Sequence, residues 1–489
     1  MKKLKIFTIL FAISIANNIY AQMVSVDKTF GENGFVIIPK NEYIPGVITN
    51  LIYDNIGNIV AVGVIAENFY SAPVIIKTNA DGIIDEKFGI NGMVTLSEYL
   101  MGPQTSQIYD VKITSENKIL LFLLSYNPIP YEINKPIIIR LNENGTIDES
   151  FGNNGAVILN DVTYILNINT ENNDFMYIAS YSDDVGAWIS KYSYNGKIDT
   201  NFGINGKAYL TDNTTFKIVP NSIKILNDGS ILVAGYDSFN SFAKLAFCKL
   251  NQQGNFVTNF ANNGKWIMDM GNLNGKQFFN AIETSNGSLV LTGLFIDNNG
   301  TYNRFICNFY SDGTTNPNFG ENGFFYYGVL SNGYKQTLFQ NGDRYLISEW
   351  KQIVSINKNG TLDTQFNSGG FCILEDFSFT NDMLFQTPNK IIIGGQNSYY
   401  ANFTMTRLNI ASDVSIEDIH SYKSSIIFPN PAKDILYFKT EKQFEIFDIQ
   451  GKILLKSENA TNSVNISHLT AGIYFIKFDN NKIEKFVKK

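Results

Sequence analysis

Asn144-Gly145-Thr146-Ile147-Asp148-Glu149-Ser150-Phe151-Gly152-Asn153-Asn154-Gly155 recurs in altered form along the chain. Its Phe falls at Phe30, Phe88, Phe151, Phe202, Phe260, Phe319 and Phe366. Four residues after each Phe stands a glycine: Gly34, Gly92, Gly155, Gly206, Gly264, Gly323 and Gly370. Six residues before it, in every copy but the shortened first, stands another: Gly82, Gly145, Gly196, Gly254, Gly313 and Gly360. Neighbouring Phe positions lie 47 to 63 residues apart. A period of that size marks a repeat architecture, in which each unit buries its apolar face only by stacking on the next.

Between motifs the pattern is that of strands. In the unit from Phe278 to Leu330, Phe278–Glu283 reads as a first strand and Asn286-Gly287 as a hairpin turn. Leu289–Ile296, Arg304–Tyr310 and Phe324–Val329 follow as second, third and fourth strands. The other units repeat this layout. Their second strands are expected at Ile59–Ala66, Ile119–Tyr126, Phe175–Tyr181, Ile231–Asp237, Arg344–Trp350 and Ile391–Gln396. Gly63, Gly235, Gly293 and Gly395 recur inside them, where a missing side chain permits close backbone approach.

Counting selects the architecture. Seven groups of first, second and third strands accompany seven fourth strands, but out of step. The chain starts with a motif and a lone fourth strand, Gly34–Pro39, and its repeats end on a third strand, Phe403–Leu408. These pieces complement each other if the ends meet. The expectation is therefore an all-β, seven-bladed propeller over 22–410, its N-terminal strand completing the last blade. An open array would leave two unpaired edges.

The motif has a structural explanation. Asp85, Asp148, Asp199 and Asp363 lie three residues before their Phe, where a short acceptor can bond backbone N–H groups. The fixed glycines suit positive φ, and the Phe is free to bury between blades, at about 1.5–3 kcal/mol each. Oxygen-rich Asp–Asn–Gly turns also suit calcium, but Val257 and Asn316 replace the Asp in two units and no second carboxylate keeps a fixed spacing. Asp-x-x-Phe-Gly-x-Asn-Gly, preceded by Asn-Gly, resembles the delta-60 repeat of bacterial secreted proteins, a β-propeller family. The resemblance spans about Val24 to Leu408. Ala261 after Phe260 and Asn367-Ser368-Gly369 in the last copy depart from it.

Residues 411–425 read as a linker and 426–489 as a small β-sandwich. The order Phe428-Pro429-Asn430-Pro431, Asp448-Ile449-Gln450-Gly451-Lys452, Gly472-Ile473-Tyr474 and a basic tail resembles the type A C-terminal sorting domain of the type IX secretion system. That resemblance implies the type IX machinery as partner, passage through the periplasm, and release of this domain outside the outer membrane. At the other end, Lys2, Lys3 and Lys5, the apolar Ile6–Ile15 and the small Ala21 read as a signal peptide over 1–21, with Ala16 as a second cut. The apolar run is too short to span a bilayer and no later run is longer, so no transmembrane segment is expected. The expected location is secreted or at the outer-membrane surface.

Charge excludes one class of partner. Of the net −7, residues from Ser421 onward contribute 11 Lys against 3 Asp and 4 Glu, so the main domain is strongly acidic. Nucleic-acid binding, which neutralises phosphates with Lys and Arg, is not expected. Cys248 and Cys307 fall at equivalent strand positions and read as small buried hydrophobes, a bridge between them being the alternative. His420 and His468 lie outside the repeats, which removes imidazole catalysis and His metal sites from them. Asp183-Asp184 is the one adjacent carboxylate pair that invites a glycosidase reading. No cofactor and no resident metal are expected.

Variation concentrates in the second-to-third and fourth-to-first loops, which share one face. Phe69, Tyr70, Tyr126, Tyr131, Tyr236, Asp237, Tyr302, Trp350, Tyr399 and Tyr400 lie there. Aromatic rings beside Asn and Asp can stack on sugars or peptides while bonding hydroxyls or amides, so these ten are the candidate ligand-binding residues. The reading is a non-enzymatic binder of an extracellular glycan or protein. A polysaccharide-active enzyme using Tyr and carboxylates on that face, and a purely structural envelope protein, are the alternatives.

Overall fold

The computed structural model describes residues 24–38, 45–67, 70–96, 105–126, 135–171, 175–182, 184–211, 216–238, 244–268, 274–297, 299–327, 336–367, 369–387, 389–399, 401–410, 427–428, 432–448, 452–478 and 483–489. The chain divides into two compact units, Met1–Ser412 and Asp413–Lys489. Among the described residues every regular element is a strand.

Among the described residues of the first unit, six sheets hold four strands each and one holds five. We number them by their first strands: Gly46–Tyr53 (sheet 1), Thr105–Ile113 (2), Tyr164–Glu171 (3), Ile218–Ile225 (4), Asn274–Glu283 (5), Gln336–Asn341 (6) and Phe377–Thr387 (7). Sheets 1 to 6 are antiparallel meanders in chain order, as in a β-propeller. The second strands, Ile59–Glu67, Ile119–Tyr126, Phe175–Ser182, Ile231–Asp237, Leu289–Ile296, Arg344–Glu349 and Lys390–Asn397, fall where the apolar runs place them.

Sheet 7 is assembled from both ends of the repeat region. Phe35–Ile38 pairs with the third strand Phe403–Ile410, Phe35 opposite Thr406 and Ile38 opposite Phe403. A further strand, Val24–Val26, pairs with the other half of it, Val24 opposite Ile410. No strand is expected there from the residue pattern. The strand's origin lies in the other sheets, where the residue two after the turn glycine bridges back to the third strand, as Ile84 does to Thr78 and Ile147 to Leu141. The first motif copy lacks that turn. Val24–Val26 therefore supplies the returning arm from the opposite end of the chain.

Each pair of neighbouring sheets encloses its own apolar core, and each core contains one motif Phe. Phe30 lies between sheets 7 and 1, Phe88 between 1 and 2, Phe151 between 2 and 3, and Phe202 between 3 and 4. Phe260, Phe319 and Phe366 continue the series. All seven rings are at most 2% exposed. The recurring glycine has an equally local cause. The first strands of sheets 1, 4, 5 and 7 bulge opposite Gly63, Gly235, Gly293 and Gly395. A Cβ on Gly63 would lie 1.9 Å from the carbonyl oxygen of Val47, and one on Gly235 2.0 Å from that of Val219. Leu123 and Ser180 take this place in sheets 2 and 3.

Polar side chains beside the bulges tie the first strands together. Asn50 donates to Asp110 at 3.1 Å, Asn169 to the Ile223 carbonyl at 2.9 Å and Asn221 to Gln277 at 2.9 Å. Asn280 donates to the Gln336 carbonyl at 3.1 Å and Thr337 to Asp382 at 3.0 Å. Asp382 also accepts the Leu51 N–H at 2.8 Å, and Asn381 donates to the Ile48 carbonyl at 2.8 Å, so sheet 7 leads back to sheet 1. Sheets 2 and 3 meet through apolar packing of Tyr109 near Ile165 and Ile168.

In the second unit, Ile427–Phe428, Ile435–Lys442 and Thr461–Asn465 form one sheet. Ile453–Lys456, Phe444–Phe447, Gly472–Phe478 and Ile483–Lys488 form another. Leu436 and Phe438 from the first share a core with Phe444, Ile446, Ile476 and Phe486 from the second.

Candidate functional site

The motif end of the sheets is a belt of turns bonded to each other. In six copies the side chain three residues before the Phe accepts the N–H two residues on: Asp27, Asp85, Asp148, Asp199, Asn316 and Asp363, at 3.1–3.3 Å. The residue after the Phe then donates its N–H to the next copy's turn, as Gly31 does to Asp81, Gly89 to Asn144, Gly203 to Gln253 and Gly320 to Asn359. The backbone there is left-handed, φ lying between 51° and 58° at Gly31, Gly89, Gly152, Gly203 and Gly320. Ala261 keeps φ at 47° and Asn367 at 41°. Asn367 has a reason for its side chain. Its copy faces the shortened first motif, and its Oδ1 accepts the Val24 N–H at 3.4 Å where the missing turn would stand.

At Asp27, Asp148, Asp199 and Asp363 the facing cation is a side chain. Asp148 accepts Arg140 Nε at 2.7 Å and Lys118 Nζ at 2.6 Å, and Arg140 also donates to the Tyr194 carbonyl of the next sheet at 2.6 Å. Asp27, absent from the sequence reading, accepts Arg407 Nε at 2.8 Å, and Arg407 reaches the Ala80 carbonyl at 3.0 Å. Burial alone would raise the Asp148 carboxyl. The bonds from Lys118 and Ser150 with the charge of Arg140 outweigh it and hold the group well below the usual carboxylate range. Among the described residues no group of three His, Cys, Asp or Glu is placed to hold a metal ion. Cys248, Cys307 and Cys372 are free and buried, and burial pushes the Cys248 thiol up to about 12.

At the opposite ends of the sheets stand the candidate binding residues. Phe69, Tyr131 and Tyr400 lie outside the described residues, as does Asp183 of the carboxylate pair, while Asp184 is exposed. Tyr70 opens a third strand opposite Glu67 rather than standing in a loop, and Tyr126 closes a second strand. Tyr302 likewise starts a strand, opposite Ile296, because Asp297 Oδ1 accepts the N–H groups of Asn299 and Thr301 at 2.9 Å and tightens the turn before it. Tyr399 is 76% exposed. Tyr236 is half-buried beside Tyr181 of the neighbouring sheet, and burial raises its hydroxyl pKa. Tyr181 occupies the same register in sheet 3 as Tyr236 in sheet 4, a signal the repeat spacing could have given. Asp237 is 3% exposed and its carboxylate accepts the Lys217 N–H at 2.9 Å, so it holds the loop.

Trp350 leaves its expected strand, which ends at Glu349. It occupies a two-residue turn at φ 48°, a left-handed conformation that costs a bulky residue about 1–2 kcal/mol. Its carbonyl accepts both the N–H and the hydroxyl of Thr380, and Lys351 Nζ lies 5.3 Å from its ring centre. Beneath it is a buried polar group that sequence reading took for strand interior. Glu349 accepts Gln336 and Gln352, the latter at 2.9 Å, and lies 3.4 Å from Arg304 Nε, with Gln336 also 3.4 Å from the Tyr327 hydroxyl. Burial raises the Glu349 carboxyl despite the opposing charge of Arg304. A groove of about 1370 Å³ lies elsewhere, between the outer strands Phe35–Ile38 and Met93–Thr95 and the motif turns beside them. No helix among the described residues is long and apolar enough to cross a membrane.

In the second unit, Asp448 Oδ1 accepts the Lys452 N–H at 2.9 Å, which is the turn expected of Asp-x-x-Gly-Lys. Residues 426–489 match the secretion system C-terminal sorting domain. Residues 133–151 and 226–260 match the β-propeller described as domain of unknown function DUF5122. No curated protein matches the chain. Among solved structures, a protein of unknown function from Dyadobacter fermentans DSM 18053 is 13% identical over 79% of this chain and 99% of its own, with a TM-score of 0.42. The polysaccharide lyase Uly1 is 12% identical over 78% and 92%, with a TM-score of 0.45. PorZ, a surface component of the type-IX secretion system of Porphyromonas gingivalis, is 12% identical over 91% and 75%, with a TM-score of 0.27. Likenesses this slight carry no argument about function. The sorting tail implies export by the type IX system to the cell surface or beyond. Two stretches of the chain thus match the DUF5122 β-propeller model, and residues 426–489 match the type IX secretion system C-terminal sorting domain.

Proposed function

We propose that, after loss of a signal peptide over 1–21, residues 22–410 form a closed seven-bladed propeller that binds an extracellular glycan or protein at the ends of the sheets opposite the motif belt. Residues 411–425 are the linker to a β-sandwich sorting domain over 426–489. The observation that supports the binding reading is a contrast between the two ends. Motif turns bond one another, whereas the opposite end holds Tyr399 exposed to 76% and Trp350 in a strained turn. Tyr236 and Tyr302 stand at the same ends of their own sheets. Glycan and peptide arrays probed with the purified chain test this, using Tyr399→Ala and Trp350→Ala as comparisons. Binding that both variants weaken about ten-fold supports the reading. Wild-type binding by both, or no binding at all, overturns it in favour of a structural envelope protein.

One observation favours a second reading, a polysaccharide-active enzyme. Glu349, whose carboxyl burial raises against the charge of Arg304 and which stands beside Tyr327, is the kind of perturbed carboxyl group that can serve in proton transfer. Reducing-sugar release by the wild type, lost in Glu349→Gln, would replace the binding reading with this one.

A further inference from the structure

The four-stranded sheet of the second unit treats its two edges differently. At one edge, strand Ile483–Lys488 is covered: Ala432 bridges Lys488, donating its N–H to the Val487 carbonyl at 2.8 Å and accepting that of Lys489 at 2.9 Å. At the other, Ile453–Lys456 pairs with Phe444–Phe447 and, among the described residues, with no second strand. A bulge between Ile446 and Phe447 in that pairing leaves Leu454 without an opposite residue. Leu455 packs toward the core, while Ile453 is 51% exposed and Leu454 37%. Two adjacent large apolar side chains on an open edge are what folded proteins ordinarily avoid, since such an edge templates pairing with another strand.

Charge narrows the occupant. Lys452 and Lys456 bracket the apolar pair, Lys456 being ion-paired with Glu445 of the neighbouring strand, and residues from Ser421 onward carry a net +4, counted from 11 Lys, 3 Asp and 4 Glu. A second copy of the same edge would set lysine against lysine, which disfavours self-pairing. An extended strand with apolar residues flanked by Asp or Glu meets both features.

We propose that Ile453–Lys456 is the docking edge of the sorting domain, to which an acidic, extended segment of the export machinery adds as a further strand. The proposal rests on the type IX export reading. The test follows the full-length chain in a type IX-competent bacterium and measures the exported against the periplasmic fraction. Three chains are compared: Ile453→Lys/Leu454→Lys, Ile453→Thr/Leu454→Thr, and deletion of residues 426–489. Threonine keeps the strand preference and removes only the apolar surface. The expectation is that deletion abolishes export and both double variants reduce it about ten-fold, while purified chains melt like the wild type. Tyr437→Lys, on an exposed position of the other sheet, leaves export unchanged. Normal export of the threonine variant alongside a retained deletion chain overturns the edge and leaves the export reading standing. So does loss of a dimer in solution with normal export. Normal export of the deletion chain overturns both.

Discussion

In sheet 2, Arg140 reaches Asp148 across eight residues; in sheet 7, Arg407 reaches Asp27 across 380. The two sites are otherwise alike. Each guanidinium lies over the ring of its motif Phe, at 4.7 Å from Phe151 and 5.1 Å from Phe30, and each donates to a carbonyl of the next sheet. Closing the longer loop as an isolated event would cost about 3 kcal/mol more chain entropy. Once sheets 1 to 6 have formed, most of that cost has been met by their own cores. The same ion pair is therefore a local turn in one place and the fastener of the chain ends in the other.

The largest expected effect breaks that fastener. Arg407→Leu strips Asp27 of its guanidinium and leaves it Lys390, at about 3 kcal/mol, and Arg140→Leu does the same to Asp148, which keeps Lys118. Equilibrium unfolding should show similar losses. Limited proteolysis separates them: Arg407→Leu should release the segment Val24–Ile38 for cleavage, and Arg140→Leu should not. Equal protection of that segment in both variants contradicts the role of the Arg407–Asp27 pair as its fastener.

A smaller effect appears in acid. Asp27 and Asp148 are both held below the usual range, by their Lys, Arg and hydroxyl partners overcoming burial. Groups depressed in the folded state contribute stability that is full above their unfolded pKa of about 3.9 and is lost as pH falls below it. Asp27→Asn and Asp148→Asn should each flatten the acid limb of unfolding free energy against pH by about 2 kcal/mol between pH 4 and pH 2. Unchanged acid limbs would mean that neither pair carries the shift.

The smallest contrast is within the motif belt. Ala261 holds a left-handed φ of 47° with a Cβ and no compensating bond, so Ala261→Gly should stabilise by about 1 kcal/mol. Asn367 holds one of 41° at the seam and bonds both Val24 and Phe371. Asn367→Gly should therefore gain nothing or lose a few tenths of a kcal/mol. Thermal melts of the two variants decide it, and equal gains would show that the seam bond is idle.

Much of this fold could be read before any coordinates. Second strands were legible because their apolar runs are continuous, and the meeting of Phe35–Ile38 with Phe403–Ile410 followed from an unmatched strand at each end. Val24–Val26 was not legible, being three residues with no pattern of their own, defined only by the strand they complete. Loop boundaries failed for a different reason. Tyr70 and Tyr302 became strand residues because hairpins tightened around Glu67 and Asp297, and Trp350 became a turn residue because Thr380 holds its carbonyl. Asp237 looked like a binding carboxylate and is occupied by the Lys217 backbone. Glu349 drew no notice, since its partners lie 3, 13 and 45 residues away.

Period, motif and terminal mismatch are properties of a string, and they alone set the repeat, the turn chemistry and the order of the two units. Which aspartate meets which arginine, which loop side chains face solvent, and which sheet edge stays open depend on surfaces brought together from distant parts of the chain. Backbone conformation is fixed by near neighbours, which sequence lists in order. Burial and charge pairing are fixed by neighbours in space, which only folding supplies.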